Sequence, residues 1–279
     1  MSIEKNADSS PTFRKESSQQ KKIKMKENEI FFMDCRKGLK TIKTNSIDHF
    51  YADPPFDIKF NSKEKMYKRN KSNVIEGYIE PSGETYYDFS KSWINECARV
   101  LKKDGTGWIC SGWSNLADVL NAIKKCDLNV LNHVIWKYQF GVYTKKKFIT
   151  SHYHLLFVIK NKKNWYFNKD IRFEDKRTKK GNKNYLDRED VWIIKRPYNN
   201  GIEKNANTQP LELVMKALQY TTKEGDLILD PFMGGATTAL AAIKLNRRYI
   251  GFEINKNLKE LQERRIKDVI SQRTIKPDM

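Results

Sequence analysis

The sequence predicts an α/β protein built on a mostly parallel sheet with helices on both faces. Three observations carry that prediction. Strand-length apolar runs alternate with segments of helical spacing along most of the chain. Two of those runs end on an acid followed at once by turn residues, at Asp53-Pro54-Pro55-Phe56 and at Asp230-Pro231-Phe232-Met233-Gly234-Gly235. The 279 residues suffice for one large domain with a modest insertion.

The elements follow in order. Residues 1–27 are rich in Ser, Lys, Gln and Glu with almost no aromatics, so they read as a disordered basic tail ahead of a single domain over 28–279. Ile30 to Met33 is a buried strand ending at Asp34, and Lys37 to Ile42 a short helix. Ile47 to Ala52 is a strand that delivers Asp53. Residues 57–87 carry Lys, Asn, Ser and Gly without periodicity and read as a long mobile loop. Phe89 to Leu101 has helical spacing, with Phe89, Trp93, Cys97 and Val100 on one face. A turn at Lys103-Asp104-Gly105 precedes a strand from Gly107 to Ser111. A helix over Leu116 to Lys125 and strands over Val130 to Lys137 and Ser151 to Lys160 come next. Residues 161–204 change texture, dense in Lys, Arg, Asn, Asp, Trp and Tyr, and read as an insertion with one apolar patch at Val191 to Ile194. A helix over Leu211 to Thr221, a strand over Leu227 to Leu229 and a helix over Thr237 to Leu245 follow. The chain then gives a strand from Tyr249 to Phe252 ending at Glu253, and a helix from Leu258 to Ile270.

Composition narrows the function. Lys+Arg number 53 against 34 Asp+Glu, a net charge of 53 − 34 = +19. Self-repulsion on that scale favours a polyanionic partner, and nucleic acid is the natural one because neutralised phosphates release counterions. Cys35, Cys97, Cys110 and Cys126 show no Cys-x-x-Cys spacing, which supports neither a metal site nor a redox pair. They read as reduced thiols of a cytoplasmic protein. His152 and His154 share one strand face but lack a third ligand in the sequence. No apolar run reaches membrane-spanning length, and the N-terminus has no apolar stretch typical of a secretory signal.

The second motif has the chemistry of a nucleoside site. Open parallel sheets bind ligands beyond the carboxyl ends of their strands, where Asp230 is expected. Gly234 and Gly235 allow a tight turn and close approach of a ligand, and Thr237 can cap the helix that follows. Glu253 ends the next strand at the spacing at which an acid meets ribose hydroxyls. Neither a P-loop nor the Gly-x-Gly-x-x-Gly fingerprint is present.

The first motif suits an exocyclic amine. Its nitrogen lone pair is delocalised into the ring, so the amine is a poor nucleophile until two acceptors take its hydrogens and pull it toward tetrahedral geometry. The Asp53 carboxylate and the Pro54 carbonyl are the candidate acceptors. Pro54 and Pro55 stiffen the peptide that carries that carbonyl. Phe56 offers a flat apolar face to a base drawn out of its stack.

Together the two motifs resemble the amino-methyltransferases of DNA, and their order, catalytic before cofactor, resembles the beta class. The resemblance implies a Rossmann-like, S-adenosylmethionine-dependent methyltransferase fold, doubly wound and circularly permuted, with a small target-recognition insertion. It implies S-adenosyl-L-methionine as cofactor, held by Asp34, Asp53, Asp230, Pro231, Phe232, Gly234, Gly235, Thr237, Thr238 and Glu253. The family usually has Gly-Ser-Gly-Thr-Thr where this chain has Gly234-Gly235-Ala236-Thr237-Thr238, and Ala fits there without strain only if its φ is negative. The helix-entry segment of the family corresponds to Asn205 to Glu212, which adds Asn207, Thr208 and Gln209. Asp rather than Ser at position 53 points to N6 of adenine over N4 of cytosine. Double-stranded DNA is the implied partner, with a homodimer and a cognate restriction endonuclease as further ones. An RNA substrate and a catalytically degenerate paralogue stay open.

Target recognition is expected between the two motifs, at residues 161–204. Lys176, Arg177, Lys179 and Lys180 are candidate phosphate contacts, and Trp165, Tyr166, Asn182, Asn184 and Arg188 candidate base contacts. Lys145, Lys146 and Lys147 are expected near the catalytic edge.

Overall fold

The computed structural model describes residues 25–56, 84–139, 144–171, 188–196 and 208–274. Most of the tail, most of the 57–87 loop and much of 161–204 therefore lie outside the described residues.

The described chain forms one eight-stranded sheet. Its strands are β1 (Glu29–Phe32), β2 (Ile47–Ala52), β3 (Leu101–Ser111), β4 (Asn129–Lys137), β5 (His152–Ile159), β6 (Val191–Ile193), β7 (Leu227–Asp230) and β8 (Arg248–Glu253). The spatial order is β1-β8-β7-β2-β3-β5-β4-β6. Every pairing is parallel except β3 with β5 and β5 with β4. Six helices cover it: α1 (Cys35–Leu39), α2 (Tyr86–Val100), α3 (Leu116–Lys124), α4 (Leu211–Thr221), α5 (Thr237–Lys244) and α6 (Lys259–Thr274).

The sheet divides the core into two apolar layers. Alternate residues of β2 show the division, since Phe50 and Ala52 join one layer and Tyr51 the other. Helices α1, α2 and α3 cover the first layer, α4 and α5 the second. The predicted α2 stripe of Phe89, Trp93, Cys97 and Val100 is buried throughout.

Three of the boundaries that differ from expectation have a local reason. Helix α1 begins at Cys35 because the Asp34 carboxylate accepts the Arg36 N–H at 2.8 Å and caps it. Helix α2 reaches back to Tyr86, into the expected loop, because the Thr85 hydroxyl accepts the Asp88 N–H at 3.1 Å. Strand β3 begins at Leu101 rather than Gly107. The Lys103-Asp104-Gly105 turn is absorbed as an irregularity in the β2 register, between the Ile47–Leu101 and His49–Thr106 pairs.

This topology fixes two edges. The carboxyl ends of β1, β8, β7, β2, β3, β4 and β6 share one edge with the start of β5. The opposite edge holds the end of β5, where the Lys160 ammonium donates to the carbonyls of Ala98 and Leu101 at 2.7 and 2.8 Å.

Candidate active site

Four neighbouring parallel strands each deliver one acid to the carboxyl edge: Asp34 after β1, Glu253 ending β8, Asp230 ending β7 and Asp53 after β2. The two motifs, far apart in sequence, thus sit on adjacent strands.

The loop between β7 and α5 is held on both sides. The Gly234 N–H donates to Glu253 Oε2 at 2.7 Å, and Met233 N–H to the Phe252 carbonyl at 2.8 Å. From α6, Gln262 Nε2 donates to the Gly234 carbonyl at 2.7 Å and Arg265 to the Gly235 carbonyl. Gly234 has φ +49°. Ala236 has φ +65°, so the condition for an unstrained alanine is not met. A left-handed non-glycine residue costs about 1–2 kcal/mol. Burial of the Ala236 methyl in the second core layer offsets part of it. Ala236, not Thr237, takes the cap position of α5 and offers no side-chain bond, which leaves the amino end of that helix uncapped. Thr237 and Thr238 are buried, and the Thr238 hydroxyl donates to Asp230. Pro231 is buried. Phe232 packs between Trp93 and Phe89, with ring centroids 5.1 and 6.0 Å away.

Around Asp53, Pro54 is buried and the Tyr86 hydroxyl donates to the Pro55 carbonyl at 2.8 Å. Phe56 lies against Tyr153 at 5.3 Å. Gln209 hydrogen-bonds Asp53. Its amide also accepts from the Tyr51 hydroxyl at 2.6 Å and donates to Cys110 Sγ at 3.2 Å. Thr208 is half-buried beside it, whereas Asn207 lies outside the described residues. Arg196, just beyond β6, stacks its guanidinium over Tyr138 at 4.4 Å and Tyr153 at 5.1 Å, and its charge acts on Asp53.

Burial and mutual repulsion shape the acids. Burial first, then the charge of Asp230, raises the Asp53 carboxyl to about 7; Arg196 and Gln209 oppose the rise. Burial raises Asp230 to about 7 as well, with Glu253 adding to it against hydrogen bonds from Thr238 and the Phe232 N–H. Glu253 is also raised, by burial, although the N–H groups of Asn255, Gly234 and Ile254 bond it. Three adjacent acids that resist ionisation form a site that a cation relieves. A sulfonium with an α-ammonium group has that charge, so the donor set fits the methyl donor.

Asp34 differs. Burial acts to raise it, but hydrogen bonds and charge from Arg36 outweigh burial and hold it below the usual carboxylate range. Arg36 bonds both its oxygens, at 3.1 and 2.8 Å, and reaches Glu84 at 2.6 Å.

The candidate DNA contacts divide between the edges. Lys145, Lys146 and Lys147 are exposed on the β4–β5 loop at the carboxyl edge. Trp165 packs against the second core layer, and Lys223 lies over Tyr166 at 4.8 Å. The Asn168 N–H bonds the Tyr220 carbonyl near the end of α4, so this stretch lies at the opposite edge. Arg188 lies over Phe167 at 6.0 Å. Lys176, Arg177, Lys179, Lys180, Asn182 and Asn184 lie outside the described residues. Among the described residues no group of three metal-ligating side chains could hold an ion, and no helix is long and apolar enough to cross a membrane.

Sequence reasoning missed Tyr86, Arg196, Gln262 and Arg265. Only Tyr86 had a local signal, the Thr85-x-x-Asp88 helix start directly before it.

Comparison with known proteins agrees with this arrangement. The chain is 29% identical over 255 residues to the Type II methyltransferase M.HinfI of Haemophilus influenzae, covering 87% of this chain and 69% of the relative. It is 28% identical over 258 residues to the Type II methyltransferase M2.MboI of Moraxella bovis, covering 86% and 88%. The PvuII cytosine-N4-specific DNA methyltransferase superposes with a TM-score of 0.65 at 15% identity, covering 89% of this chain and 93% of that one. The M1.HpyAVI–SAM complex gives 0.59 at 20% identity, covering 85% and 98%. These likenesses show the methyltransferase fold. The N6/N4 family model, described as DNA methylase, matches residues 47–264 and takes in both motifs, so the chain belongs to the N6/N4 DNA methylase family.

Proposed function

We propose that this chain methylates the exocyclic N6 of adenine in double-stranded DNA, on a base swung out of the duplex. The observation that carries the reading is the placement of Asp53 and the Gly234 loop on adjacent strand ends, close enough that the charge of Asp230 raises the Asp53 carboxyl.

The methyl donor is S-adenosyl-L-methionine, with which M1.HpyAVI was crystallised. When bound it supplies an electrophilic methyl carbon on a cationic sulfur. Asp230, Glu253, Gly234, Gly235, Thr237 and Thr238 would hold it, with Pro231 and Phe232 shaping the wall. The uncapped amino end of α5 suits its carboxylate. Asp34 is committed to Arg36, so its position contributes through the main chain.

The Asp53 carboxylate and the Pro54 carbonyl accept the two amine hydrogens. The hydroxyl of Tyr86 takes the Pro55 carbonyl, which fixes the peptide beside the Pro54 acceptor. Phe56, backed by Tyr153, stacks on the extracted base. Arg196 favours the ionised Asp53 that accepting requires. A carboxyl held near neutrality then takes the proton that the amine sheds. Positioning of the amine against the bound donor would supply the rest.

Lys145, Lys146, Lys147 and the cluster at Lys176, Arg177, Lys179 and Lys180 neutralise phosphates. Asp53 favours adenine by its resemblance to the adenine-directed motif. N4 of cytosine is the second reading, since PvuII DNA methyltransferase acts there on the same fold.

Transfer of labelled methyl groups to unmethylated genomic DNA tests the proposal. Wild type should label the DNA. Asp53→Ala should lower turnover at least about a thousandfold while keeping donor affinity within a few-fold. Full activity in that variant would remove Asp53 from the mechanism.

A further inference from the structure

The β4–β5 loop carries an apolar surface that the proposed chemistry does not use. Phe148 is 99% exposed and Ile149 44%. A large side chain so fully in water makes no folding contribution. Lys145, Lys146 and Lys147 lie directly before it, all exposed, and the Thr144 hydroxyl bonds the Lys147 carbonyl to shape the turn. The loop is rooted firmly. Tyr138 N–H donates to the Ser151 carbonyl at 2.9 Å across its base. From that base a ladder of rings leads to the candidate catalytic motif: Tyr138 to Tyr153 at 5.4 Å, then Tyr153 to Phe56 at 5.3 Å.

We propose that residues 144–149 of this loop form a wedge that enters duplex DNA, with Phe148 inserted between bases and Lys145, Lys146 and Lys147 on the flanking phosphates. The inference rests on the reading of the chain as acting on double-stranded DNA. Three points on the molecule support it. An apolar side chain preceded by three cations matches a polymer whose stacked bases lie between anionic strands. The loop stands on the edge where Asp53 must meet its base. A second copy of the chain is a poor occupant, because it would bring the same three lysines and a net charge of +19 against this one. Inserting Phe148 would hold open the stack from which the target base leaves, and would exchange water for base faces around the ring.

Two variants of the full chain test the wedge. Phe148→Ala removes the ring from an exposed site and should leave folding and donor affinity unchanged. Its kcat/KM on unmethylated genomic DNA should fall at least about tenfold, mostly through DNA affinity. Phe148→Trp supplies a reporter, read as the difference from wild type because six tryptophans are already present. Its added fluorescence should be quenched by genomic duplex but not by heparin, a polyanion without bases. Wild-type turnover by Phe148→Ala would overturn the proposal. So would equal quenching by heparin and DNA, which indicates phosphate contact alone. Shielding of the reporter that grows with protein concentration in the absence of DNA would assign the surface to a second copy instead. The fluorescence measurement needs no turnover, so it judges the wedge even if wild type fails to methylate DNA. That failure would count against the parent reading alone.

Discussion

Replacing Asp230 by asparagine isolates the electrostatic design of the carboxyl edge. Asp230 is 3% exposed, and burial raises its carboxyl from 3.8 to about 7. That rise corresponds to about 4 kcal/mol of resistance to ionisation. A cationic donor relieves that resistance, so it should bind the ionised site better. With a pKa of about 7, the ionised fraction rises from about 3% at pH 5.5 to about 75% at pH 7.5. Through Asp230 alone, the dissociation constant of S-adenosyl-L-methionine should therefore tighten about tenfold over that interval, with roughly 25-fold as the ceiling for a single carboxyl. Asp230→Asn should make the profile shallower, leaving only the part that Asp53 and Glu253 contribute. Titration calorimetry at three pH values and fixed ionic strength measures both proteins. The ligand-free protein carries the opposite dependence. A carboxyl whose folded pKa is raised adds stability that is full below its unfolded value near 3.8 and is lost as pH rises through about 7. Relative to Asp230→Asn, the wild-type melting temperature should fall between pH 5 and 8. Donor affinity constant within twofold from pH 5.5 to 7.5 in wild type would refute the reasoning.

Two further changes probe the loops that hold the site. Tyr86→Phe removes the bond to the Pro55 carbonyl, worth about 0.5–1.5 kcal/mol, so kcat should fall about two- to tenfold with donor affinity unchanged; an unaltered kcat would show that the Asp53-Pro54-Pro55 peptide needs no such support. At Ala236, valine should destabilise the fold by about 2 kcal/mol or more, because a β-branched residue at φ +65° is strained. Glycine there should be close to neutral, since relief of the left-handed alanine is offset by the lost buried methyl. Thermal melts of both variants decide, and a valine variant as stable as wild type would contradict the backbone assignment.

The parts of the site that were readable from sequence are those written in short range. Asp53-Pro54-Pro55-Phe56 and the Gly234 loop announce themselves because strand end, acid and turn are contiguous. Strand and helix alternation gave the sheet, and the α2 stripe gave its buried face. What escaped was long range. Gln262 and Arg265 lie in a helix of ordinary polar composition, and nothing local says that they clamp the carbonyls of Gly234 and Gly235. Arg196 acquires its place only when β6 pairs with β4 and lifts it over Tyr138 and Tyr153. The same blindness affects 161–204. Composition marks it as one unit, whereas the strand directions send its described start to the edge away from Asp53 and its β6 end toward it. Strand β3 misled for a different reason: Lys103-Asp104-Gly105 has turn composition, but Gly105 packs closely on Leu101 within the irregular start of the strand.

Identification of the modified nucleoside tests the central claim most directly. Unmethylated genomic DNA treated with the wild-type chain and labelled S-adenosyl-L-methionine is digested to nucleosides and separated against standards. The account predicts label in N6-methyladenine, and none with Asp53→Ala. Label in N4-methylcytosine would overturn the adenine assignment, and label on a ring carbon or in no nucleoside would contradict the amine chemistry assigned to this edge.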